Sequence, residues 1–462
     1  MYDVAIVGAG PAGIFTALKL SEGLEEGNLS IAILDKGPDI RFRSCPAIET
    51  KSVCKRCERC SLNSGWGGAG LFSDGKITLS PTVGGWLSKL MGAQELRALL
   101  KEVDDFFLKF GAPDVLHGLE EDAFEDWHKR AAMVGLKLER NVIRHIGTDM
   151  TKEVLMSMRN FLNSHVEVLL DHEVRHIVAN DGVVSGLELS NGKTLSAKYV
   201  VAAPGRLGSE WFLGECSKLG IKTFKNPVDL GVRVELPYEI MAPITEDLYE
   251  PKLKYITKRF DDQVRTFCVN PRGEVITERY DDIITVNGHC LSRGSSDNTN
   301  FAILVSTNFT EPFKDPISFG KYIARLANII SSGVIVQRFG DLLKGRRSTP
   351  LRLERSIVMP TLQDATPGDL SFVLPFRILT DIVEMMQVID KLVPNVASKD
   401  TLLYGIEAKF YSSKVETNED LETTSVKNLF VAGDGVGLSR GLSQAAVSGV
   451  YVAKKILERF KS

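Results

Sequence analysis

The sequence predicts an α/β fold in which one domain, built around a parallel sheet, is discontinuous along the chain and contains an inserted mixed α+β domain. Three observations predict it. The chain opens as strand, glycine turn, helix and strand, and it closes as strand, glycine turn and helix. Between these ends lie β-rich and mixed segments separated by turn residues. A sheet assembled from both ends of the chain explains all three.

Length and charge limit the class of protein. The chain has 462 residues, of which 44% are apolar and 25% charged, so two or three globular domains are expected. Its formal net charge of -3 argues against a nucleic-acid-binding protein that works by bulk electrostatics. No apolar run approaches the roughly 18 residues of a membrane span, and Met1-Tyr2-Asp3 lacks the basic region of a secretory signal. We expect a cytoplasmic protein without nucleic-acid partners.

The N-terminal turn has the spacing of a dinucleotide fingerprint. Its first glycine permits a tight turn, its second lets a pyrophosphate approach the backbone, and its third allows close helix–strand packing. The helix that follows directs N–H groups and a positive dipole end at the phosphates. An acid at the end of the second strand is placed to accept hydrogen bonds from a ribose. This Rossmann-like element predicts as contacts Gly8, Gly10, Pro11, Ala12, Gly13, Asp35 and Lys36. The fingerprint alone fits FAD and NAD equally.

Periodicity and turn signals place the remaining elements. Residues 38–92 are loop-dominated, helices are predicted near 94–110, 121–134, 151–163, 317–332 and 443–460, and strands over 165–204. The nucleotide-binding domain is therefore predicted from residues 1–92, 150–222 and 403–462. A helical insert is predicted at 93–149 and a substrate or cap domain at 223–402.

The C-terminal segment separates FAD from NAD by resemblance. Leu429 to Gly435, followed by Gly441 to Ala446, resembles the second FAD motif of the glutathione-reductase-like flavoprotein superfamily. The resemblance implies that Asp434 binds the ribityl chain and that the next helix points its N-terminus at the flavin's pyrimidine end. It adds as cofactor contacts Gly433, Asp434, Gly441, Leu442 and Ala445. Val200 to Gly205 resembles the element that returns the chain to the FAD domain, which adds Gly205.

Four of the seven cysteines lie in one short stretch, at Cys45, Cys54, Cys57 and Cys60. Two consecutive CxxC spacings can direct three sulfurs at one cluster, and Cys45 would complete a four-iron set. Zinc is the main alternative, because four cysteines also satisfy a tetrahedral structural site. Redox-active thiols, or no bound metal, are the third interpretation. The spacing favours iron–sulfur, since zinc ribbons usually separate two CxxC pairs by a longer loop.

A glycine-rich loop, Ser64 to Lys76, follows the cysteines. Its glycines let the backbone lie against a flat ring system, and in the resembling superfamily this loop runs along the isoalloxazine. We therefore add Gly67, Gly68 and Ala69 as cofactor contacts. The interleaved Trp66, Leu71 and Phe72 favour a packed loop over a flexible linker.

Four segments together resemble a family of uncharacterised FAD-dependent dehydrogenases, and the quartet of cysteines marks a subset of it. The segments are residues 64–76, 264–273, 402–410 and the Gly433-Asp434-Gly435 terminus. The resemblance implies cofactor and fold but no reaction. Candidate catalytic residues are Lys76 and Arg265, which could balance charge on a reduced flavin or an anion, and Cys268, which could face the flavin.

The predicted function is an FAD-dependent dehydrogenase or reductase of a small molecule that transfers hydride at flavin N5. Because no second GxGxxG occurs, electrons would come from a ferredoxin-type carrier through the cluster or from transiently bound NAD(P)H. One alternative is a reductase of unsaturated, prenyl-type lipids with a structural zinc site. Another is a flavin-containing RNA-modifying or RNA-binding module, which the acidic charge balance disfavours.

Overall fold

The computed structural model describes residues 1–23, 29–46, 57, 59–280, 282–291, 294–307 and 315–461. It confirms the α/β fold class. The chain forms two compact units. The first comprises residues 1–115, 144–226 and 411–462, and the second comprises residues 116–143 and 227–410. Residues 93–149, predicted as a helical insert, are divided between the two units, and residues 403–410 belong to the second.

The strands of the described ranges, in chain order, are β1 (Tyr2–Val7), β2 (Ile31–Leu34), β3 (Lys76–Thr78), β4 (Leu116–His117), β5 (Lys137–Glu139), β6 (Ile143–His145), β7 (Glu167–Leu169), β8 (Val174–Asn180), β9 (Val183–Leu189), β10 (Thr194–Ala202), β11 (Thr223–Phe224), β12 (Val228–Pro237), β13 (Lys252–Ile256), β14 (Gln263–Asn270), β15 (Glu274–Tyr280), β16 (Ile283–His289), β17 (Asn298–Thr307), β18 (Ile335–Arg338), β19 (Thr366–Pro367), β20 (Leu402–Phe410), β21 (Lys414–Val415) and β22 (Leu429–Val431).

The α-helices of the same ranges are α1 (Pro11–Glu22), α2 (Leu87–Met91), α3 (Ala93–Lys109), α4 (Glu121–Met133), α5 (Thr148–Leu162), α6 (Ser209–Lys218), α7 (Tyr238–Leu248), α8 (Pro316–Ile329), α9 (Phe339–Leu343), α10 (Pro350–Glu354), α11 (Phe376–Leu392) and α12 (Leu442–Lys461). The five helices predicted from periodicity correspond to α3, α4, α5, α8 and α12. None of the helices in the described ranges has the length and apolar character that a bilayer crossing requires.

The first unit is built on a sheet of order β7-β2-β1-β10-β9-β8, with β22 also paired to β10. Strands β7, β2, β1, β10 and β22 run parallel. The long β10 pairs with β9 through Thr194–Ser196 and with β22 through Val200–Ala202. The central parts of four parallel strands, residues 4–7, 31–34, 199–202 and 429–431, consist of buried apolar residues because both sheet faces are covered there.

Helices α1 and α12, from opposite ends of the chain, pack directly against each other in this unit. The close approach requires Gly449, where a Cβ would stand 2.1 Å from the carbonyl oxygen of Ala12. The Thr16 hydroxyl, which is fully buried, donates to the carbonyls of Ala12 at 2.8 Å and of Gly449 at 3.2 Å. A side chain at position 449 would push the two helices apart.

The second unit is built on an eight-stranded sheet of order β19-β18-β20-β12-β17-β14-β13-β5. Alternation along β12 gives the sheet two different faces. Leu230, Val232 and Val234 point into an apolar core shared with residues of α7 and α11. Asp229 and Arg233 alternate with them and project from the opposite face, although they are equally buried. The second unit therefore has one apolar and one polar face to its sheet.

Asp381 on α11 gives this core a pH dependence. The side chain is fully buried, and burial, followed by the neighbouring Asp262 carboxylate, raises its pKa to about 6. Because the folded protein holds this proton more tightly than the unfolded chain, the free energy of unfolding falls as pH rises from about 4 to about 6. Asp381→Asn is expected to raise the free energy of unfolding by about 2 kcal/mol at pH 7.

Urea unfolding at a series of pH values tests this expectation. The difference between Asp381→Asn and the parent should shrink toward pH 4, where the parent carboxyl is protonated. The exposed Asp364→Asn serves as control and should change stability little at any pH. If the difference in unfolding free energy between Asp381→Asn and the parent does not vary with pH, the ionisation of Asp381 does not affect stability.

Candidate functional site in the first unit

The parallel strands of the first unit end at one edge of the sheet. The register pairs Val7 of β1 with Leu34 of β2 and with Ala202 of β10, and Ala202 in turn with Val431 of β22. The residues that follow are therefore neighbours, although they come from four distant parts of the chain. They comprise Gly8, Asp35, the Ala203–Gly205 segment and the Gly433–Gly435 segment. Ligands of open α/β sheets bind at this carboxyl edge.

The N-terminal turn leaves space only at its middle glycine. A Cβ on Gly8, where φ is +109°, would stand 2.1 Å from the carbonyl oxygen of Ala203, and one on Gly13 would stand 1.8 Å from that of Gly8. A Cβ on Gly10 would meet nothing closer than the Cα of Gly68 at 3.9 Å. Gly10 is also the N-cap of α1 and supplies no side-chain cap. The first N–H groups of α1 are thus suited to a phosphate acceptor.

Asp35 connects three loops at this edge. Its carboxylate accepts hydrogen bonds from the backbone N–H groups of Ala9 at 2.9 Å, Gly37 at 2.8 Å and Gly65 at 2.7 Å. A carboxylate has about four acceptor positions, so one remains for the ribose hydroxyl predicted from the sequence. Lys36 is adjacent and half-buried, and its backbone carbonyl accepts from the guanidinium of Arg59 at 3.1 Å.

The C-terminal motif lies at the same carboxyl edge of the sheet. Gly433, with φ of +85°, lies against the Cβ of Ala12, and Gly435 lies against the carbonyl of Gly205. The carboxylate of Asp434 accepts from the hydroxyl of Ser439 at 2.6 Å and from the backbone N–H of Gly441 at 3.1 Å. These bonds fix Asp434 directly before α12, whose first residue is Leu442 and whose first turn includes the buried Ala445.

The arrangement fits FAD. Two long helices, α1 and α12, begin at the same sheet edge, and each begins after a glycine. One positive helix end suits the pyrophosphate and the other a flavin that gains negative charge on reduction. The predicted contacts from both ends of the chain are thereby brought into one site.

The glycine loop predicted to follow the flavin packs over the dinucleotide turn. The N–H of Gly67 donates to the carbonyl of Ala9 at 2.8 Å, and a Cβ on Gly68 would stand 2.9 Å from the Cα of Gly10. Trp66 is fully buried and donates to the carbonyl of Leu155 at 2.9 Å. The loop is therefore packed rather than a flexible linker, and Ala69 remains half-buried beside it.

Arg43, which sequence reasoning did not single out, secures this loop. Its guanidinium donates to the carbonyls of Ser61 at 2.9 Å, Leu62 at 2.8 Å and Trp66 at 2.7 Å. Burial lowers the pKa of Arg43 to about 10, although the negative charges of Asp35 and Cys60 oppose the shift. No motif could have indicated Arg43, because its three acceptors are backbone carbonyls.

Lys76 lies on β3, close to the start of α12. The N–H of Thr78, two residues further along β3, donates to the hydroxyl of Ser443 in the first turn of α12 at 2.7 Å. Lys76 is buried, and its ammonium lies 3.2 Å from the carboxylate of Asp74. The strand that carries Lys76, predicted as catalytic, therefore contacts the first turn of α12, and the Lys76 ammonium is paired with Asp74.

A second cation near this helix was missed. Arg440, two residues before α12, is stacked between Trp86 and Tyr411, with its guanidinium carbon 3.8 Å and 3.5 Å from the two ring centres. Its backbone N–H donates to the carbonyl of Gly84 at 2.6 Å. The stack joins three segments distant in sequence, so no local pattern could have predicted it.

Three of the four clustered cysteines belong to the described residues, and Cys54 lies outside them. Cys57 is exposed, Cys45 and Cys60 are half-buried, and none of the three forms a disulfide. Within the described ranges, no three His, Cys, Asp or Glu side chains are gathered to hold a metal ion. The iron–sulfur and zinc interpretations both require Cys54 and stay predictions.

The other two catalytic candidates lie on β14 of the second unit. Arg265 pairs with the buried Asp229 at 2.6 Å. Cys268 is half-buried and adopts a φ of +48°, which is uncommon for a residue other than glycine. Its carbonyl accepts from the guanidinium of Arg233 at 2.8 Å. The structure thus places Arg265 and Cys268 on one strand of the polar sheet face.

Arg233 belongs to a buried ionic group that the sequence did not predict. Its guanidinium lies 3.2 Å from the carboxylate of Glu407 and donates to the amide oxygen of Asn300 at 2.9 Å. The ammonium of Lys409 lies 3.1 Å from the same carboxylate. Both members of the Arg233–Glu407 pair are fully buried. Gly288 admits the guanidinium, since a Cβ there would stand 2.2 Å from it.

Comparison with known proteins agrees with a flavoprotein. Residues 227–410 match the family described as "FAD-dependent protein, C-terminal domain-like". An uncharacterized protein of Clostridium beijerinckii is 28% identical over 486 residues, covering 98% of this chain and 80% of that protein. The description of the matched family names FAD as the cofactor. It confirms the prediction of an FAD-dependent enzyme and gives neither a substrate nor a reaction.

Solved structures show weaker likeness. Glycine oxidase of Bacillus cereus has a TM-score of 0.42 and 14% identity, with 99% of this chain and 96% of that chain covered. A geranylgeranyl bacteriochlorophyll reductase-like protein of Thermoplasma acidophilum has a TM-score of 0.41 and 12% identity, with 100% and 79% covered. At such values the likeness adds nothing about substrate or reaction.

Proposed function

We propose that the chain is an FAD-dependent dehydrogenase or reductase that exchanges electrons between a small-molecule substrate and a carrier, either a ferredoxin-type protein or NAD(P)H. The main support is the single sheet edge at which both glycine motifs and the N-termini of α1 and α12 meet. FAD held by these motifs would supply hydride chemistry at N5: the hydride of a substrate C–H bond would pass to the flavin, its two electrons would continue to the carrier, and the remaining protons would go to solvent, or the reverse for substrate reduction.

The residues of the first unit have separable tasks in this proposal. The N–H groups at the start of α1, together with Gly10, would bind the pyrophosphate. Asp434 would bind the ribityl chain while Ser439 and Gly441 orient its carboxylate. The N-terminus of α12 would stabilise negative charge on the pyrimidine end. Lys76 would add a fixed positive charge near that end.

Lys76→Gln tests the last assignment. The variant is expected to keep its FAD and to slow flavin reduction at saturating donor about tenfold or more, because a preorganised charge near the reacting group is lost. Stopped-flow bleaching of the flavin absorbance measures the rate. Lys89→Gln, which removes an exposed lysine from the same segment, is the control. Equal rates in both variants would contradict a role for Lys76 in charge stabilisation.

An anaerobic absorbance spectrum of the purified protein tests the proposed function as a whole. We expect flavin bands at one FAD per chain that are bleached either by NAD(P)H or by a reduced ferredoxin-type carrier. A protein purified without flavin, and unable to take up added FAD, would refute the proposal. Which donor bleaches the bands decides between the two carriers.

We further propose that the cysteine segment holds a four-iron cluster, which would divide the hydride's two electrons into single steps. The support is the double CxxC spacing, together with the packing of the following loop on the dinucleotide turn. Zinc analysis of the same preparation addresses the alternative structural site.

Metal analysis after anaerobic purification is expected to give about four iron atoms and about four acid-labile sulfides per chain. Cys57→Ser should lower both while retaining FAD. One zinc per chain without iron would favour the structural site. The absence of both metals would leave redox-active or ordinary thiols.

A further inference from the structure

The second unit exposes large apolar side chains beside clustered cations. Two segments form this basic–apolar surface, residues 343–352 and residues 370–377. The exposed fractions are 52% for Leu343, 54% for Leu351, 73% for Phe372 and 65% for Phe376. Single exposed apolar residues are ordinary, whereas a group of them on adjoining segments indicates an interaction site.

One buried side chain holds the two segments next to each other. The amide of Gln337, which is fully buried, donates to the carbonyl of Arg346 at 2.9 Å and accepts from the N–H of Leu370 at 2.8 Å. The N–H of Ser348 donates to the carbonyl of Gly368 at 2.9 Å. The two segments therefore lie side by side, and their backbones are held by hydrogen bonds to a buried side chain and to each other.

The first segment is basic without any compensating acid of its own. Residues 343–352 contain four cations and no Asp or Glu. Arg346 is neutralised by the buried Asp341 at 2.8 Å. Lys344 and Arg347 are exposed and form no ion pair with a residue that the structure describes, so their charges are available to a partner. The exposed acid nearest in sequence is Glu354, which lies beyond the segment.

The second segment combines an exposed aromatic group with cations. The guanidinium carbon of Arg259, an exposed residue, lies 5.1 Å from the ring centre of Phe376. The guanidinium of Arg377 pairs with Asp262 at 2.7 Å. Asp369, which directly precedes this segment, faces inward, where it accepts from Gln337 and from the N–H of Ser371. Arg377 is thus neutralised by Asp262, and the cation beside the exposed Phe376 ring is Arg259.

We infer that the basic–apolar surface binds an anionic lipid bilayer, with Phe372 and Phe376 inserted at the headgroup level and Lys344 and Arg347 paired with lipid phosphates. Exposed apolar side chains gain by leaving water, and cations gain at the negative surface of a membrane. A second copy of this chain is disfavoured, because a symmetric contact through this surface would bring the same cations together. Nucleic acid would satisfy the cations but not the exposed Phe and Leu side chains.

Vesicle co-sedimentation of the FAD-loaded full chain tests the inference. We expect binding to phosphatidylcholine vesicles that contain about one third phosphatidylglycerol, and weak binding to pure phosphatidylcholine. Binding should weaken as salt is raised. Equal binding to both vesicle types, or none to either, would overturn the inference.

Two double variants separate the contributions. Phe372→Ser/Phe376→Ser and Lys344→Gln/Arg347→Gln should each lower the vesicle partition coefficient about tenfold or more, since each cation contributes about fivefold at an anionic surface. Unchanged flavin content and thermal midpoint show that these variants fold. Tyr322→Ser/Ile329→Ser is the matched control, because those α8 side chains are 68% and 73% exposed.

Two results would contradict the location of the site. The first is an equal loss of binding in the control variant. The second is concentration-dependent dimerisation that Phe372→Ser/Phe376→Ser abolishes without any change in vesicle binding, which would assign the surface to a second copy.

Discussion

Glu407→Gln is expected to lower the free energy of unfolding of the second unit by about 3–5 kcal/mol. The carboxylate is fully buried and lies within 3.2 Å of both the Arg233 guanidinium and the Lys409 ammonium. Burial opposes the charge on Lys409, yet Glu407 and Glu278 outweigh it and raise the pKa of Lys409 above its ordinary value. Removing the central negative charge therefore leaves two buried cations facing each other.

Hydrogen exchange resolved by peptide gives the appropriate measurement, because a chain of two units need not unfold in one step. Peptides of β20 and β12 should lose protection in Glu407→Gln, while those of β1 and β22 in the first unit should not. Lys409→Met should lower the free energy of unfolding less than Glu407→Gln does, because Glu407 keeps Arg233 as its partner.

Arg325→Gln is the control for this prediction. It breaks an ion pair with Asp282 whose side chains are 46% and 58% exposed, and such pairs contribute about 0–1 kcal/mol. A loss of protection in Glu407→Gln no larger than in this control would show that the buried ionic group does not stabilise the unit.

The sequence was most informative where a short pattern defines both structure and chemistry. The spacing of Gly8, Gly10 and Gly13 within a strand–turn–helix allowed the first element to be predicted, and the turn after β22 that contains Asp434 allowed the last. Both predictions concern local geometry. That the two motifs meet follows from β10, which pairs in parallel with β1 and β22 and whose apolar run could also be recognised.

The two longest unpredicted helices of the second unit, α7 and α11, escaped prediction for identifiable reasons. Helix α7 contains Pro243, which normally argues against a helix interior. Helix α11 has no side-chain cap at its start and is rich in Ile and Val, which favour strands in isolation. In both cases packing against the sheet decides the conformation, and that packing involves strands far away in sequence.

The predicted domain boundary near residue 402 was misplaced for the same reason, namely that contacts between distant strands are not visible in the sequence. Residues 403–410 were grouped with the C-terminal FAD segment, yet β20 pairs with β12 and β18 of the second unit. An apolar strand does not reveal its neighbours by its own composition. The buried charges of Glu407 and Lys409 are likewise explained only by the strands beside them.

The middle glycine of the N-terminal turn provides the most direct test of the cofactor site. Gly10→Ala is expected to fold normally and to lower FAD affinity about tenfold or more, a loss of about 1.4 kcal/mol or more. The φ at Gly10 is -82°, which any residue adopts, and a Cβ there would have ordinary space in the chain alone. The same Cβ would occupy the approach that a pyrophosphate needs.

Gly13→Ala separates this effect from damage to the fold. A Cβ on Gly13 would stand 1.8 Å from the carbonyl oxygen of Gly8, so that variant should lose both thermal stability and FAD. Fluorescence titration of FAD into flavin-free protein measures the affinity, and the thermal midpoint of the same flavin-free samples measures the stability. Together they distinguish a weaker cofactor site from a damaged fold. If Gly10→Ala binds FAD as tightly as the parent, the pyrophosphate does not lie on this turn, and the N-terminus of α1 does not bind it.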